Sequence, residues 1–261
     1  MTLPLKRGIT YGPVRSRRLG RSLGVNILPT EKKTCTFNCV YCQYGWTPYG
    51  SLEEMQDAAW PSPEVVFGEV KRTLTELRPP PAYITFSGNG EPTMHPQLDE
   101  IVEGVIDLRN RLAPGSKTAI LSNSTPLTNE RVRRAVEKLD MRILKLDAGD
   151  AETYRNYNRP LCATTVDELV ASLKLIKDVT IQALFTTGDS GNSGSPHVDD
   201  WVQRIVEISP LHVQLYTLDR PYPSKNIAPA SRGLLEGIKV KLEENGISAG
   251  VYCRTAELVA G

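Results

Sequence analysis

Ser22-Leu-Gly-Val-Asn-Ile-Leu28 runs through Pro29–Thr34 into Cys35-Thr-Phe-Asn-Cys39-Val-Tyr-Cys42. The first half is an apolar run of strand length, and the second crowds three thiols into a loop. The same order of strand, polar turn and helix-period segment recurs along the chain. Ser62, Pro63 and Glu64 open a helix whose Val66, Val70, Leu74 and Leu77 share one face. Ala82–Phe86 is the next strand, and Leu98, Ile101, Val102 and Val105 mark a second helix. Lys117–Leu121, Arg142–Leu146, Thr180–Phe185, Leu211–Thr217 and Ile247–Tyr252 continue the strands. Between them fall Val132, Ala135, Val136 and Leu139 at helical spacing, and a Thr165/Glu168 capping box leading into Leu169, Leu173 and Ile176. A short helix over Trp201–Ile208 and a long one through Leu234, Ile238 and Leu242 complete the pattern.

Strict alternation of strand and helix dictates a parallel sheet, because each parallel crossover needs about a dozen residues. Roughly six or seven such units are too few for the eight of a closed barrel. The expected fold is therefore α/β, a partial (β/α)6-type barrel with parallel strands in a single domain over residues 1–261. A flat doubly wound sheet is the alternative. In either, ligands gather at the carboxyl ends of the strands.

The 261 residues are 40% hydrophobic, enough for a sizeable core and against a disordered chain. No apolar run approaches the ~18 residues of a membrane span. The start, MTLPLKRGIT, has no signal-peptide core, so a cytoplasmic protein with no membrane partner is expected. Lys plus Arg number 31 and Asp plus Glu 30, a net +1, whereas dedicated nucleic-acid binders are usually far more basic. That balance leaves room for a local basic patch. Five cysteines, three of them clustered, suit a metal or redox site better than a disulfide framework.

The spacing C-x3-C-x2-C lets Cys35, Cys39 and Cys42 hold three irons of a 4Fe–4S cube. The fourth iron is then open to substrate, as a catalytic metal position must be. A zinc knuckle completed by Cys162, Cys253 or a His is the competing reading, although structural zinc usually pairs two close Cys with two other ligands. The strand ending at Phe86 runs into Ser87-Gly88-Asn89-Gly90-Glu91-Pro92-Thr93. Glycines there let the backbone approach a ligand, and Glu91 can accept hydrogen bonds from an ammonium.

With Tyr41 before its last Cys, the thiol motif resembles the signature of the radical S-adenosylmethionine (SAM) enzymes. The resemblance implies a partial βα barrel with a 4Fe–4S cluster, whose open iron chelates SAM and whose electron yields a 5′-deoxyadenosyl radical for hydrogen abstraction. It further implies that Tyr41, Ser87, Gly88, Asn89, Gly90 and Glu91 bind the cofactor, joined by Ser122, Asn123, Asp147 and Gln182 at later strands. A flavodoxin or ferredoxin-type reductant is the implied electron source. An iron–sulfur electron-transfer or binding protein without radical chemistry is the rival reading.

A narrower resemblance covers Tyr11–Gly24, the Ser87–Thr93 turn, Leu146–Asp150, Asn158–Pro160 and Tyr216–Pro221. These segments are similar to iron–sulfur oxidoreductases related to the tRNA wyosine-synthesis enzymes, which implies tRNA base modification. Those enzymes carry a second cluster on extra upstream cysteines. Here only Cys162 and Cys253 remain, so the wyosine reaction itself is not expected. Both are read as simply buried.

Arg15, Arg17, Arg18 and Arg21 follow Lys6 and Arg7 in a basic N-terminal segment, residues 1–21. Arg forks suit phosphate or carboxylate, so an RNA backbone, a phosphorylated or acidic small molecule, or an acidic electron donor are candidate ligands, and a small metabolite or peptide is the alternative substrate to tRNA. A solvated surface run is the plain alternative. Arg159 and Arg220, each beside a Pro, are further substrate-binding candidates. Thr186–Pro196, rich in Gly and Ser, is expected to be a mobile loop at the barrel mouth. Trp46, Tyr49 and Trp60 would shield the cluster, stack on a base or pack in the core. His95, His197 and His212 show no ligand spacing, and the oligomeric state is not legible.

Overall fold

Local sequence chemistry starts the helices where the structure has them. Ser62 Oγ accepts from Val65 N at the start of α1 (Pro63–Glu76), and Thr165 and Glu168 form a reciprocal capping box at α5 (Val166–Lys174). The computed structural model describes residues 2–51, 53–55 and 58–253. Its strands are β1 (Thr10–Ser16), β2 (Gly20–Val25), β3 (Tyr83–Phe86), β4 (Lys117–Ser122), β5 (Met141–Lys145), β6 (Thr180–Leu184), β7 (Thr186–Thr187), β8 (His212–Tyr216), β9 (Ala228–Pro229) and β10 (Ala249–Tyr252). The remaining helices are α2 (Leu98–Leu112), α3 (Glu130–Glu137), α4 (Ala151–Thr153), α6 (Ser195–Ile208) and α7 (Arg232–Glu244).

One sheet holds eight strands in the order β1-β2-β3-β4-β5-β6-β8-β10, all parallel from β2 onward. All seven strands read from the sequence are present. One parity of residues, including Leu23, Ile84, Ile120, Leu144, Ile181 and Val213, packs with the helices in one continuous core. The opposite parity lines up in register as rows. Leu121, Ile143, Thr180 and His212 form one, and Lys145, Gln182, Gln214 and Gly250 the next. This second face is polar in large part: Gln182 donates to Gln214 at 3.0 Å, and Ser22 and Thr85 hydroxyls lie 2.7 Å apart. Helices therefore cover the convex side of a curled half-barrel, which corrects the flat doubly wound alternative.

The curl is visible in contacts between distant strands. The β1–β2 hairpin starts one edge of the sheet, yet its tip residue Leu19 clusters with Ala119 of β4 and Ile143 of β5. Arg17, on the same tip, pairs with Asp219 beyond β8.

β1 was not expected. Its Gly12-Pro13 reads as a strand breaker, but β1 is an edge strand, where Pro is tolerated. It pairs antiparallel with β2, with a register irregularity between Tyr11 and Val14. The helix expected over Trp201–Ile208 begins earlier, at Ser195, with Pro196 in its first turn. The expected mobile loop is also corrected, because its first part is pinned. Thr186 and Thr187 pair with β9, and buried Asn192 accepts from Thr186 N while donating to Asp147 O and Leu184 O. The Asn192 amide thus satisfies backbone groups that a loose loop would leave to water. Among the described residues no helix is long and apolar enough to cross a membrane.

Candidate cluster and cofactor site

The cysteine loop follows β2 at the carboxyl edge of the sheet. It has almost no regular structure, so its shape comes from outside. Thr34 N donates to Asn89 O and Glu91 N to Thr34 O, joining the loop to the turn after β3. Asn38 N and Val40 N donate to Asn158 O and Tyr157 O, in the π-helical turn over Tyr154–Asn158 that continues α4. Leu161 N donates to Thr36 O, and buried Lys33 reaches across the loop to Gly45 O at 2.9 Å.

Cys35 and Cys39 are buried and Cys42 half-buried. Burial pushes the Cys39 thiol up to about 11 and that of Cys35 higher, with Lys33 opposing both. The amide groups of Asn123 and Asn158 point at the Cys35 and Cys39 sulfurs, each at 3.6 Å. Three soft thiols served by a buried ammonium and two N–H donors fit an anionic iron–sulfur cluster. Among the described residues no group of three or more His, Cys, Asp or Glu is placed to hold one metal ion, as the zinc alternative requires. A cube asks something different, one thiolate on each of three irons.

The turn after β3 explains its own glycines. Gly88 and Gly90 have φ of +155° and +148°, and a Cβ on Gly90 would lie 1.7 Å from Thr34 O. On Gly88 a Cβ would lie 2.2 Å from Asn26 Oδ1. The close approach is therefore to the protein's own cysteine loop, not only to a ligand. Asn89 is likewise employed inside the fold, accepting from Lys6 N and donating to Lys6 O and Pro29 O. Ser87 Oγ lies 2.6 Å from Tyr11 Oη.

Glu91 is 1% exposed. Its carboxylate accepts from Thr93 N, Thr93 Oγ1 and Asn123 N. Burial raises its pKa and those hydrogen bonds oppose the rise, while among the described residues it forms no ion pair. A buried carboxylate without a counter-ion is costly in a finished core and suited to receiving a cationic ligand. Ser122 lies alongside, with its hydroxyl 3.4 Å from Thr93 Oγ1. Asn123 joins Glu91 to the thiols, donating to Thr36 Oγ1 at 2.7 Å as well as towards Cys35.

Asp147 behaves differently. Its side chain is fully buried and accepts from Tyr41 Oη, Asn158 Nδ2, Leu184 N and Lys145 Nζ. Four donors fill the four lone-pair positions of a carboxylate, so Asp147 ties β5, β6 and the cysteine loop together and has none left for a cofactor. The Tyr41 ring packs 5.0 Å from Tyr157, and Lys145 Nζ lies 5.1 Å from its centroid. Gln182 stands on the concave face with its amide given to Gln214. Lys33, Lys145, Asn158 and Tyr216 went unread as individual side chains. Lys145 had one usable signal: it shares the strand parity of Ile143, which puts it on the concave face.

The arginines separate. Arg17 pairs with Asp219, Arg18 Cζ lies 4.6 Å from the Tyr216 ring centroid, and Arg220 donates to Gln43 Oε1. Those three lie together near the concave face, for Arg17 and Arg220 both act on Arg18. Arg21 instead holds the Pro79 and Pro80 carbonyls, and exposed Arg15 sits opposite it in the hairpin. Arg159, with φ of 49°, stacks 5.0 Å from Trp46 at the rim of the cysteine loop. Trp60 packs edge-on against His95. Cys162 and Cys253 are half-buried and not fully packed away. Cys162 lines a cleft of about 410 Å³ with Thr36, Thr93, His95 and Arg131, while Cys253 rests against the main core.

Residues 33–208 match the model of the radical SAM superfamily. A "UPF0026 protein" of Helicobacter pylori is 30% identical over 97% of this chain and 82% of its own length. An S-adenosyl-L-methionine-dependent tRNA 4-demethylwyosine synthase of Pyrococcus abyssi is 24% identical over 69% of this chain, which spans 56% of that enzyme. The solved structure of TYW1 with a lysine-pyruvate adduct bound shares the fold at a TM-score of 0.64 and 20% identity, over 86% of this chain and 74% of that one.

Proposed function

We propose that this chain, which belongs to the radical SAM superfamily, holds its 4Fe–4S cluster on Cys35, Cys39 and Cys42 and uses SAM to abstract hydrogen from a tRNA base. When bound, the cluster and SAM together supply a 5′-deoxyadenosyl radical. The chain's own residues bind, orient and exclude water. Lys33, Asn123 and Asn158 direct N–H groups or positive charge at the thiolates and the loop that bears them. Glu91 receives the SAM ammonium, and its buried, uncompensated carboxylate is the observation that carries this reading. Ser87, Gly88, Asn89 and Gly90 shape the turn, Ser122 and Asn123 extend it, and Tyr41, held by Asp147, walls the site beside Gln182.

The tRNA assignment is supported by the similarity to the Pyrococcus abyssi synthase and by the resemblance of Tyr11–Gly24 and Tyr216–Pro221 to wyosine-type enzymes. A small metabolite is the second reading, favoured by the apolar side chains that fill the concave face under the hairpin tip. A flavodoxin or ferredoxin-type protein is the proposed reductant, reaching the cluster at the rim marked by Trp46 and Arg159.

The test is 5′-deoxyadenosine formation by anaerobically reconstituted, reduced protein, with and without total unmodified tRNA. A several-fold rise with tRNA is expected. Slow cleavage indifferent to tRNA would move the substrate to the metabolite reading, and no cleavage at all would remove the radical assignment. Replacing Glu91 with Gln removes a charge-assisted bond of about 1.5–3 kcal/mol, so SAM binding is expected to weaken about ten- to hundredfold. Unchanged SAM affinity in Glu91→Gln would disprove the role given to that carboxylate.

A further inference from the structure

The hairpin tip carries a cation into the half-barrel. Leu19 anchors on Ala119 and Ile143 of the concave face, and the residue before it, Arg18, is thereby brought onto Tyr216, the last residue of β8. Lys145 approaches the same ring at 5.0 Å and bonds its hydroxyl at 2.9 Å. Four cations gather here, and two of them have acids, while Arg220 gives a hydrogen bond to the neutral Gln43 Oε1. Arg17 has Asp219 and Lys145 has Asp147. Arg18 forms no ion pair among the described residues, and no side-chain acceptor takes its guanidinium hydrogens. Burial lowers its pKa, the Tyr216 and Tyr252 hydroxyls oppose that, and the neighbouring Arg17 and Arg220 add to it. Folding that gathers like charges over a tyrosine ring costs free energy that an anionic ligand would return.

We propose that Arg18, stacked on Tyr216 and backed by Lys145, binds an oxyanion of the substrate, a phosphate or a carboxylate, on the concave face. The planar fork of Arg matches either group with two parallel hydrogen bonds. Stacking fixes the plane of that fork before the ligand arrives. The site lies beside the cysteine loop, since Lys145 also touches Tyr41. The inference rests on the radical SAM reading for its meaning, because it names what the substrate carries.

Its test does not need turnover. Reconstituted full-length protein is titrated calorimetrically at low ionic strength with inorganic phosphate and, separately, with acetate. The variants are Arg18→Gln, Arg18→Lys and, as a charge-matched control on the far surface of α7, Arg232→Gln. Saturable binding of at least one probe is expected, weakened about tenfold or more in Arg18→Gln. Arg18→Lys keeps the charge without the fork and is expected to fall between, while Arg232→Gln binds like the parent. Binding of phosphate alone identifies a phosphorylated substrate, and of acetate alone a carboxylate. No saturable binding of either probe, or equal affinity in parent and Arg18→Gln, overturns the proposal. Arginine labelling by phenylglyoxal, mapped by mass spectrometry, gives a second readout on the parent protein. The bound probe is expected to protect Arg18 and not Arg232, and equal labelling of Arg18 with and without probe counts against the site. Failure of SAM cleavage in the same samples is read separately and bears on the radical assignment alone.

Discussion

Asp147→Asn removes the charge on which β5, β6, the π-helical turn and the cysteine loop converge. The side chain is 0% exposed, and its oxygens accept from Tyr41, Asn158 at 2.9 Å, Leu184 N at 2.9 Å and Lys145 at 3.0 Å. An amide has the same shape but turns one acceptor into a donor. Either Tyr41 and Asn158 or Leu184 and Lys145 then face N–H against a donor. Lys145, only 16% exposed, also loses its counter-ion. Breaking one side of a buried pair costs about 3–5 kcal/mol. For a chain of this size each kcal/mol shifts the melting temperature about 2–4 °C, so a fall of roughly 6–20 °C is expected. The assay is urea and thermal unfolding of the cluster-free protein, which keeps metal loss out of the measurement. Glu103→Gln, which breaks the exposed pair with Lys138, is the comparator and is expected to cost under about 1 kcal/mol. Adding Lys145→Met to Asp147→Asn is expected to recover at least about 1 kcal/mol, because the stranded cation is gone. If Asp147→Asn unfolds within about 1 kcal/mol of the parent, or the double variant recovers nothing, Asp147 is not the hub described.

Gly90→Ala places a Cβ against Thr34 O in a left-handed conformation. The conformation alone costs about 1–3 kcal/mol, and the clash adds to it, so a lower urea midpoint and poorer iron retention are expected together. Asp140 gives the acid limb of stability. Burial pushes its carboxyl up, but bonds from Thr118 and the pair with Arg109 hold it below its ordinary 3.8. A depressed folded pKa stabilises above the unfolded value and is lost as pH falls through the folded one. Parent stability is therefore expected to drop more steeply than that of Asp140→Asn below about pH 4, as urea midpoints against pH would record; parallel curves would refute it.

Periodicity and spacing determined a good deal here. Apolar alternation gave the seven parallel strands, because residues buried under helices must be apolar whatever else the protein does. The three-thiol spacing alone is enough to propose Cys35, Cys39 and Cys42 as the cluster ligands, since that chemistry is local to one loop. The roles of Gly88, Gly90 and Asn89 were decided by the tertiary structure, where they press on Thr34, Asn26 and Lys6 from far along the chain. The same holds for Asp147, whose four partners come from four separate segments. The arginines show the limit most clearly. As a run, Arg15, Arg17, Arg18 and Arg21 look alike, and charge alone cannot rank them. Curling of the sheet sends Leu19 inward, gives Arg17 an acid, lays Arg21 on backbone carbonyls and leaves Arg18 on a tyrosine, with no ion pair among the described residues. Which cation can receive a ligand depends on which has already found its partner, and partners distant in sequence are fixed only by the packed fold.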